Sequence, residues 1–237
     1  MPDSLAPRRH SPGIRRPRAE PADGDDTLTE RAYRALEEAI VTLSLRPGEV
    51  VSEAQLSTRF GFGRTPVREA LQRLARERLV RILPRRGIVV AAVDVREQLR
   101  LLEVRREIER LCARAAARRA DPLQREGLRR IAEGMDRAAA TDDETAFLRL
   151  DRALNLLVLE AARNEFAAAA MALTHGLSRR FWFIHWRRSA DLPQAAEVHA
   201  TLARAIADGS AEAAAAASDR LIDYIEAFTR ATVGPDL

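Results

Sequence analysis

Residues 61–71, Gly-Phe-Gly-Arg-Thr-Pro-Val-Arg-Glu-Ala-Leu, constrain this chain more than any other stretch. Gly61 and Gly63 flank a sharp turn, and Pro66 is tolerated in a first helical turn, where the N–H it lacks has no helical partner to lose. Arg64 and Arg68 then fall one turn apart on one helix face, while Val67, Ala70, Leu71 and Leu74 fall on the other. Such a helix buries its stem and turns guanidinium forks outward, as reading phosphates and guanine edges in a major groove requires. An ordinary solvated amphipathic helix has the same spacing, so the flanking sequence decides.

Upstream, Leu28, Tyr33, Leu36, Ile40 and Leu43 form a helical stripe that Arg46-Pro47-Gly48 ends. Ser52 and Gln55 have capping-box spacing and open a second helix that stops at Gly61. The third helix runs from there to about Glu77. Residues 79–83 and 88–91 are short β-prone runs joined by Pro84-Arg85-Arg86-Gly87. Three helices and a hairpin with a basic tip make a winged helix-turn-helix over residues 27–93.

Charge supports that placement. All 39 basic residues are arginine, and residues 27–93 hold 12 of them against 7 glutamates, whereas residues 94–237 hold 22 against 23 acids. The positive excess therefore sits with the recognition helix, where a polyanion would meet it. Residues 1–26 carry five prolines, an arginine cluster and then an acidic one, the composition of a disordered tail. No apolar run approaches the ~18 residues of a membrane span, and no apolar segment followed by a small-residue cleavage site marks a secretory signal. The single cysteine, Cys112, forms no intramolecular disulfide and suits a reducing cytoplasm.

Beyond residue 93 the pattern is helical throughout. Asp94 caps a helix to about Arg119, and Asp121-Pro122 opens a second as an N-cap followed by a first-turn proline. Further helices are expected over 142–162, 164–186, 194–208 and 211–231, with a loop at 189–193 and a break at Gly209. The fold class is thus mainly α: an N-terminal winged helix-turn-helix followed by an all-α antiparallel bundle over residues 94–232, with a short tail at 233–237.

With both halves in view, the chain resembles the GntR family of bacterial transcription regulators, of the FadR type with a helical FCD effector domain. The carriers are Arg46-Pro47-Gly48, the helix at 52–60, Arg64-Thr65-Pro66-Val67-Arg68-Glu69-Ala70-Leu71 and Arg85-Arg86-Gly87. In the second half, Arg105 with Glu109, Asp151, Asn164 and His199 match at fitting intervals. The resemblance implies that Arg64, Thr65 and Arg68 meet the major groove, and that Arg85, Arg86 and Gly87 place the wing tip near the minor groove. It implies a homodimer on a pseudo-palindromic DNA operator, with repression released by a small-molecule effector as the default mechanism. Gly63 stands where the family has a hydroxyl cap, and Arg78 where a glycine follows the recognition helix.

Many members of the family hold a divalent metal through an Asp, a His one turn later and two further His. Here those positions are Asp151, Asn155, His199 and Leu221, a degenerate set of two strong ligands and an amide. A small organic acid is therefore the expected effector, met by Arg105 and by Arg179 or Arg180, with Asp151, Asn155 and His199, and His199 is expected to bond a carboxylate such as Asp151. His175 and His185 lie on the fourth helix of the bundle, within reach of the pocket, and are expected on the surface or in packing rather than as ligands. Residues 179–186 hold four of the nine Phe and Trp residues, more in keeping with a core or dimer face than a ligand-stacking wall. Two other readings stay open: a metal sensor using Asp151, Asn155 and His199, and, more remotely, a metal-dependent helical enzyme. No nucleophile–base pair or phosphate-cradling glycine loop supports the latter.

Overall fold

The computed structural model describes residues 27–189 and 191–232, side chains at 186–189 excepted. The expected tails at 1–26 and 233–237 lie outside the described residues. The elements run α1 (Leu28–Val41), β1 (Val50–Val51), α2 (Glu53–Phe60), α3 (Arg64–Arg76), β2 (Val80–Leu83), β3 (Gly87–Val90), α4 (Val95–Arg119), α5 (Pro122–Ala140), α6 (Glu144–Ala162), α7 (Glu165–Ser189), α8 (Leu192–Ala207) and α9 (Ala211–Ala231).

Local chemistry explains most boundaries. Ser52 and Gln55 form a reciprocal capping box at α2, which Gly61 closes in the left-handed region. Asp121 and Gln124 form another at α5, with Pro122 in the first turn. Side-chain oxygens of Asp94, Asp143, Asp191 and Ser210 cap α4, α6, α8 and α9. Helix α1 ends at Val41, two residues before the expected Leu43, which takes φ 63° outside the helix. Asp191 starts α8 inside the segment expected to be a loop, and α7 runs on past residue 186 to Ser189.

The hairpin is also larger than expected. Strand β1 completes a three-stranded antiparallel sheet in the order β1-β3-β2, with Val51 opposite Ile88 and Leu83 opposite Gly87. A two-residue strand gives too little alternation to stand out in sequence. Gly87 is required there: its φ is 96°, and a Cβ would lie 2.9 Å from the Val51 carbonyl oxygen.

Two cores follow. One joins Leu36, Ile40, Leu56, Val67, Leu71, Leu74 and Val90 beneath the recognition helix. The other is the bundle interior, where Leu102, Leu128, Met135, Phe147 and Ile222 pack among many alanines that let the helices approach closely. Among the described residues, no helix is long and apolar enough to cross a membrane.

Helix α7 joins the two. Arg180, 1% exposed, donates from Nη1 to the Ala91 carbonyl at 2.9 Å and from Nη2 to the Ala92 carbonyl at 3.0 Å, gripping the segment between β3 and α4. Arg179 bonds Glu37 at 2.8 Å and Glu38 at 3.0 Å on α1. Gly176 lets Leu79 seat against the helix, since a Cβ there would come within 2.6 Å of the leucine Cδ1.

Candidate functional site

Two regions gather functional side chains. At the first, α3 starts at an N-cap, Gly63, that supplies no side-chain bond. Val67, Ala70, Leu71 and Leu74 bury the stem, leaving Arg64, Thr65, Arg68, Glu69, Gln72 and Arg76 exposed. A network on the far side fixes the helix to α1: the Tyr33 hydroxyl donates to Glu77 at 2.8 Å, and Arg73 bridges Glu77 and Glu30 with its guanidinium 3.6 Å from the centre of the Tyr33 ring. Burial raises the pKa of both Tyr33 and Glu77, against the Arg73 charge. Arg78 does take the left-handed turn after α3, with φ 59°, and its side chain reaches Glu97 at 3.3 Å.

Arg68 is exposed, as its spacing implied, and it is also paired. Its Nε and Nη2 bond Glu53 on α2 at 2.9–3.2 Å, a bond that holds the Glu53 carboxyl below its usual range. Nη1 remains available for donation, so Glu53 orients the fork. This partner was legible only as an acid early in the preceding helix. On the wing, Arg81, Arg85 and Arg86 are exposed, and Arg85 takes φ 62° at the hairpin tip while Gly87 closes the turn into β3. Arg64, Arg76, Arg85 and Arg86 make no ion pair among the described residues. Gln72, one turn beyond Arg68, and Arg76 and Arg81 join this face although sequence reasoning had not singled them out; the i, i+4 step from Arg68 was the available signal for Gln72.

The second region is a cavity of about 610 Å³, within the usual range for small-molecule sites. Helices α1, α4, α6, α7, α8 and α9 all contribute to its wall. At its polar end, His199 on α8, 6% exposed, brings Nε2 to 3.2 Å from the Asp151 carboxylate on α6, and Asn155 donates to the same carboxylate at 3.0 Å. Both ring nitrogens of His199 face oxygen acceptors, Nε2 the Asp151 carboxylate and Nδ1 the Ala195 carbonyl at 2.7 Å, so each contact is a hydrogen bond when that nitrogen carries the proton. Burial alone would raise the Asp151 pKa, but the His199 bond and charge, with Arg105 and His175, hold it below the usual range.

Arg105, 7% exposed, bonds Glu109 through Nε at 2.6 Å and lines the cavity. His175, expected at the surface or in packing, lines it too, and its Nε2 is buried with no hydrogen-bond partner among the described residues. Burial, then Arg105, pushes the His175 pKa down, favouring the neutral ring. His185 instead stacks on Phe181, with ring centroids 4.5 Å apart. Arg179 borders the cavity, but its guanidinium is engaged by Glu37 and Glu38, so its expected role as a carboxylate binder is replaced by that of an interdomain strut. The aromatic segment serves two purposes: Phe181 is core, Trp182 packs on Phe228 at 4.3 Å, and both, with Phe183, also line the cavity.

A divalent metal fits this donor set poorly. Asp151 and His199 bond each other, Asn155 presents its amide N–H, and Leu221 supplies an apolar wall at the fourth position. Among the described residues, no three His, Cys, Asp or Glu side chains are grouped to share an ion. Cys112 lies apart from the cavity wall, and burial pushes its thiol up to about 11.

Comparison with known proteins places both regions. The profile of bacterial regulatory proteins of the gntR family matches residues 28–90, and that of the FCD domain matches residues 100–224. An HTH-type transcriptional regulator from Agrobacterium vitis is 36% identical over 95 residues, which are 40% of this chain and 56% of that relative. The HTH-type transcriptional repressor RspR of Escherichia coli K12 is 37% identical over 90 residues, 38% of this chain and 40% of its own length. The chain thus spans about half the length of these curated relatives or less. The solved structure of E. coli McbR/YncC, 19% identical, shares the fold with a TM-score of 0.75 over 87% of this chain and 99% of that one.

Proposed function

Because this chain belongs to the GntR family of bacterial transcription regulators and carries an FCD effector domain, we propose that it is a ligand-responsive repressor that binds a pseudo-palindromic operator as a homodimer. Regulation rather than enzymatic turnover follows from the family. On DNA, Arg64, Thr65 and Arg68 read the major groove while Arg85 and Arg86 hold phosphates beside the wing, with Gly87 keeping the tip close to the sheet. Two-fold symmetry of a dimer matches paired half-sites. In the helical domain a small organic acid occupies the cavity, whose wall includes Arg105, Asp151, Asn155 and His199.

One observation carries the coupling: the cavity wall includes Arg34, Ala35 and Glu38 of α1, so an occupant touches the DNA-reading domain directly. A ligand shifts DNA affinity only as far as it binds the two domain arrangements differently, and a site at their junction provides that difference. The decisive experiment is a mobility shift on an operator selected from random sequence. Arg68→Ala should abolish the specific shift, and wild-type affinity in that variant would overturn the assignment. Protein purified without chelator should carry no stoichiometric divalent metal; finding one would make a metal the signal instead.

A further inference from the structure

The cavity mouth holds a set of charges that the polar end does not account for. Arg149 and Arg152 line it from α6, one turn apart, and Arg34 lines it from α1. Both α6 guanidiniums are exposed and make no hydrogen bond or ion pair among the described residues. Several other bundle arginines have carboxylate partners, Arg110 with Asp219, Arg114 with Glu212, Arg204 with Asp136 and Arg230 with Glu226, whereas Arg149 and Arg152, like Arg96, Arg100, Arg118 and Arg220, have none among the described residues; of these six, Arg149 and Arg152 alone line the cavity.

The two carboxylates in the cavity wall are already matched, Glu38 by Arg179 and Asp151 by His199. That leaves two adjacent like charges on α6 uncompensated, an arrangement that weakens a helix slightly until an anion arrives. Behind them the wall is apolar, with Phe147, Leu148, Trp182, Leu221 and Ile225. Positive rim and apolar interior together select one ligand chemistry.

We propose that the mouth is an anion subsite in which Arg149 and Arg152 from the bundle and Arg34 from the DNA-reading domain hold the charged group of an amphiphilic organic anion. The apolar body of the ligand enters toward Trp182. Its charged group draws α1 toward α6, and α1 passes the change to the recognition helix through Tyr33, Glu77 and Arg73. Guanidinium forks suit carboxylate, sulfonate or phosphate alike, so the shared chemistry is a planar or tetrahedral oxyanion on an apolar frame. This inference rests on the reading of the cavity as the effector site.

The test uses the full chain and two dyes of one shape, anilinonaphthalene sulfonate, which is anionic, and N-phenyl-1-naphthylamine, which is neutral. Dye fluorescence and energy transfer from tryptophan report occupancy. Replacing both α6 arginines, Arg149→Gln with Arg152→Gln, should weaken the anionic dye about tenfold, equivalent to ~1.4 kcal/mol, and leave the neutral dye unchanged. Arg149→Lys with Arg152→Lys should retain most of the binding, which a folding defect would not allow. Arg34→Gln should also weaken the anionic dye alone. Unchanged affinity for the anionic dye in the glutamine pair, or equal loss of both dyes, overturns the subsite; an unaffected Arg34→Gln overturns the bridge between domains. Operator binding by the same preparations is scored separately, so failure of the regulator reading leaves the dye result interpretable.

Discussion

Arg64 and Arg105 are both arginines to which a binding role is proposed, yet their settings are opposite. Arg64 stands exposed at the first turn of α3 with no ion pair among the described residues, whereas Arg105 is 7% exposed and bonded to Glu109 at 2.6 Å. The proposed reading face keeps its charges hydrated, where bound DNA would replace the water. The buried charges of the interior are satisfied from within, because an unpaired buried charge would destabilise the fold before any ligand arrived. Substitutions on the face should therefore change DNA affinity and leave stability alone, and substitutions of buried polar groups in the interior should change stability first.

The largest expected effect tests the interior half of that contrast. Arg180→Ala removes both donors from the Ala91 and Ala92 carbonyls and empties a site that is 1% exposed. Burial lowers the pKa of this guanidinium, so the substitution also relieves a desolvated charge. Two unsatisfied carbonyls and the vacated volume outweigh that relief, for a net loss of about 3 kcal/mol in thermal unfolding. A melting temperature equal to wild type would show that α7 does not clamp the interdomain segment.

Next in size is Arg64→Ala. Loss of one base or phosphate contact should weaken operator binding by ~1–3 kcal/mol while the melting temperature stays within the ~0.5 kcal/mol typical of surface substitutions. Competition against random DNA distinguishes the two kinds of contact. A base contact relaxes specificity at one position, whereas a phosphate contact weakens all sequences alike and lowers the salt slope. A destabilised protein with unaltered DNA binding would invert the comparison.

Near pH 6.5 the pH dependence should come from the cavity and not the face, whose Glu53 titrates only at lower pH. Burial and Arg105 lower the His175 pKa in the folded state, so below the unfolded value of 6.5 the unfolded chain takes up a proton that the folded chain refuses. Stability is thus full above pH 6.5 and falls as the pH drops toward the folded pKa. Asp151 adds a second loss at lower pH, as its carboxyl, held below the usual range when folded, finally protonates. His175→Gln should flatten the first decline in melting temperature between neutral and mildly acidic pH; an unchanged slope would place the titration elsewhere.

The same contrast explains what could be read from the chain alone. Helix α3 and the winged domain around it were legible because their chemistry is contiguous: turn glycines, a first-turn proline and two arginines within residues 61–71, between a capping box and a basic-tipped hairpin. Caps at Ser52, Asp94 and Asp121 were legible for the same local reason. Strand β1 was not, because two residues acquire strand character only from pairing with β3. The cavity was half legible. Resemblance singled out Asp151 and His199, and the structure puts them 3.2 Å apart. The partners of Arg68 and Arg179 lie 15 and 142 residues away, and no spacing rule connects Arg179 with Glu37. Arg149 and Arg152 look like any solvated pair until the cavity they line together with Arg34 is seen.

The smallest effect probes the first turn of the reading face. Gly63 caps α3 with φ −64° and ψ 161°, an extended geometry open to any residue, and supplies no side-chain bond to the turn above it. A Cβ at this position would meet nothing nearer than the Pro66 Cδ at 3.7 Å, an ordinary contact. Gly63→Ser therefore adds a hydroxyl acceptor for the first-turn N–H groups without strain and should stabilise the protein by ~0.3 kcal/mol, since glycine is only slightly inferior to serine as a cap. The same hydroxyl would lie at the DNA-facing end of the helix, so operator affinity should rise by a small factor at constant salt. Stabilisation with unchanged affinity would confine the serine to capping, leaving Arg64, Thr65 and Arg68 as the readers at this end of α3. A gain in affinity with no gain in stability would mean that the hydroxyl turns to a phosphate instead, and that even here the face behaves unlike the interior.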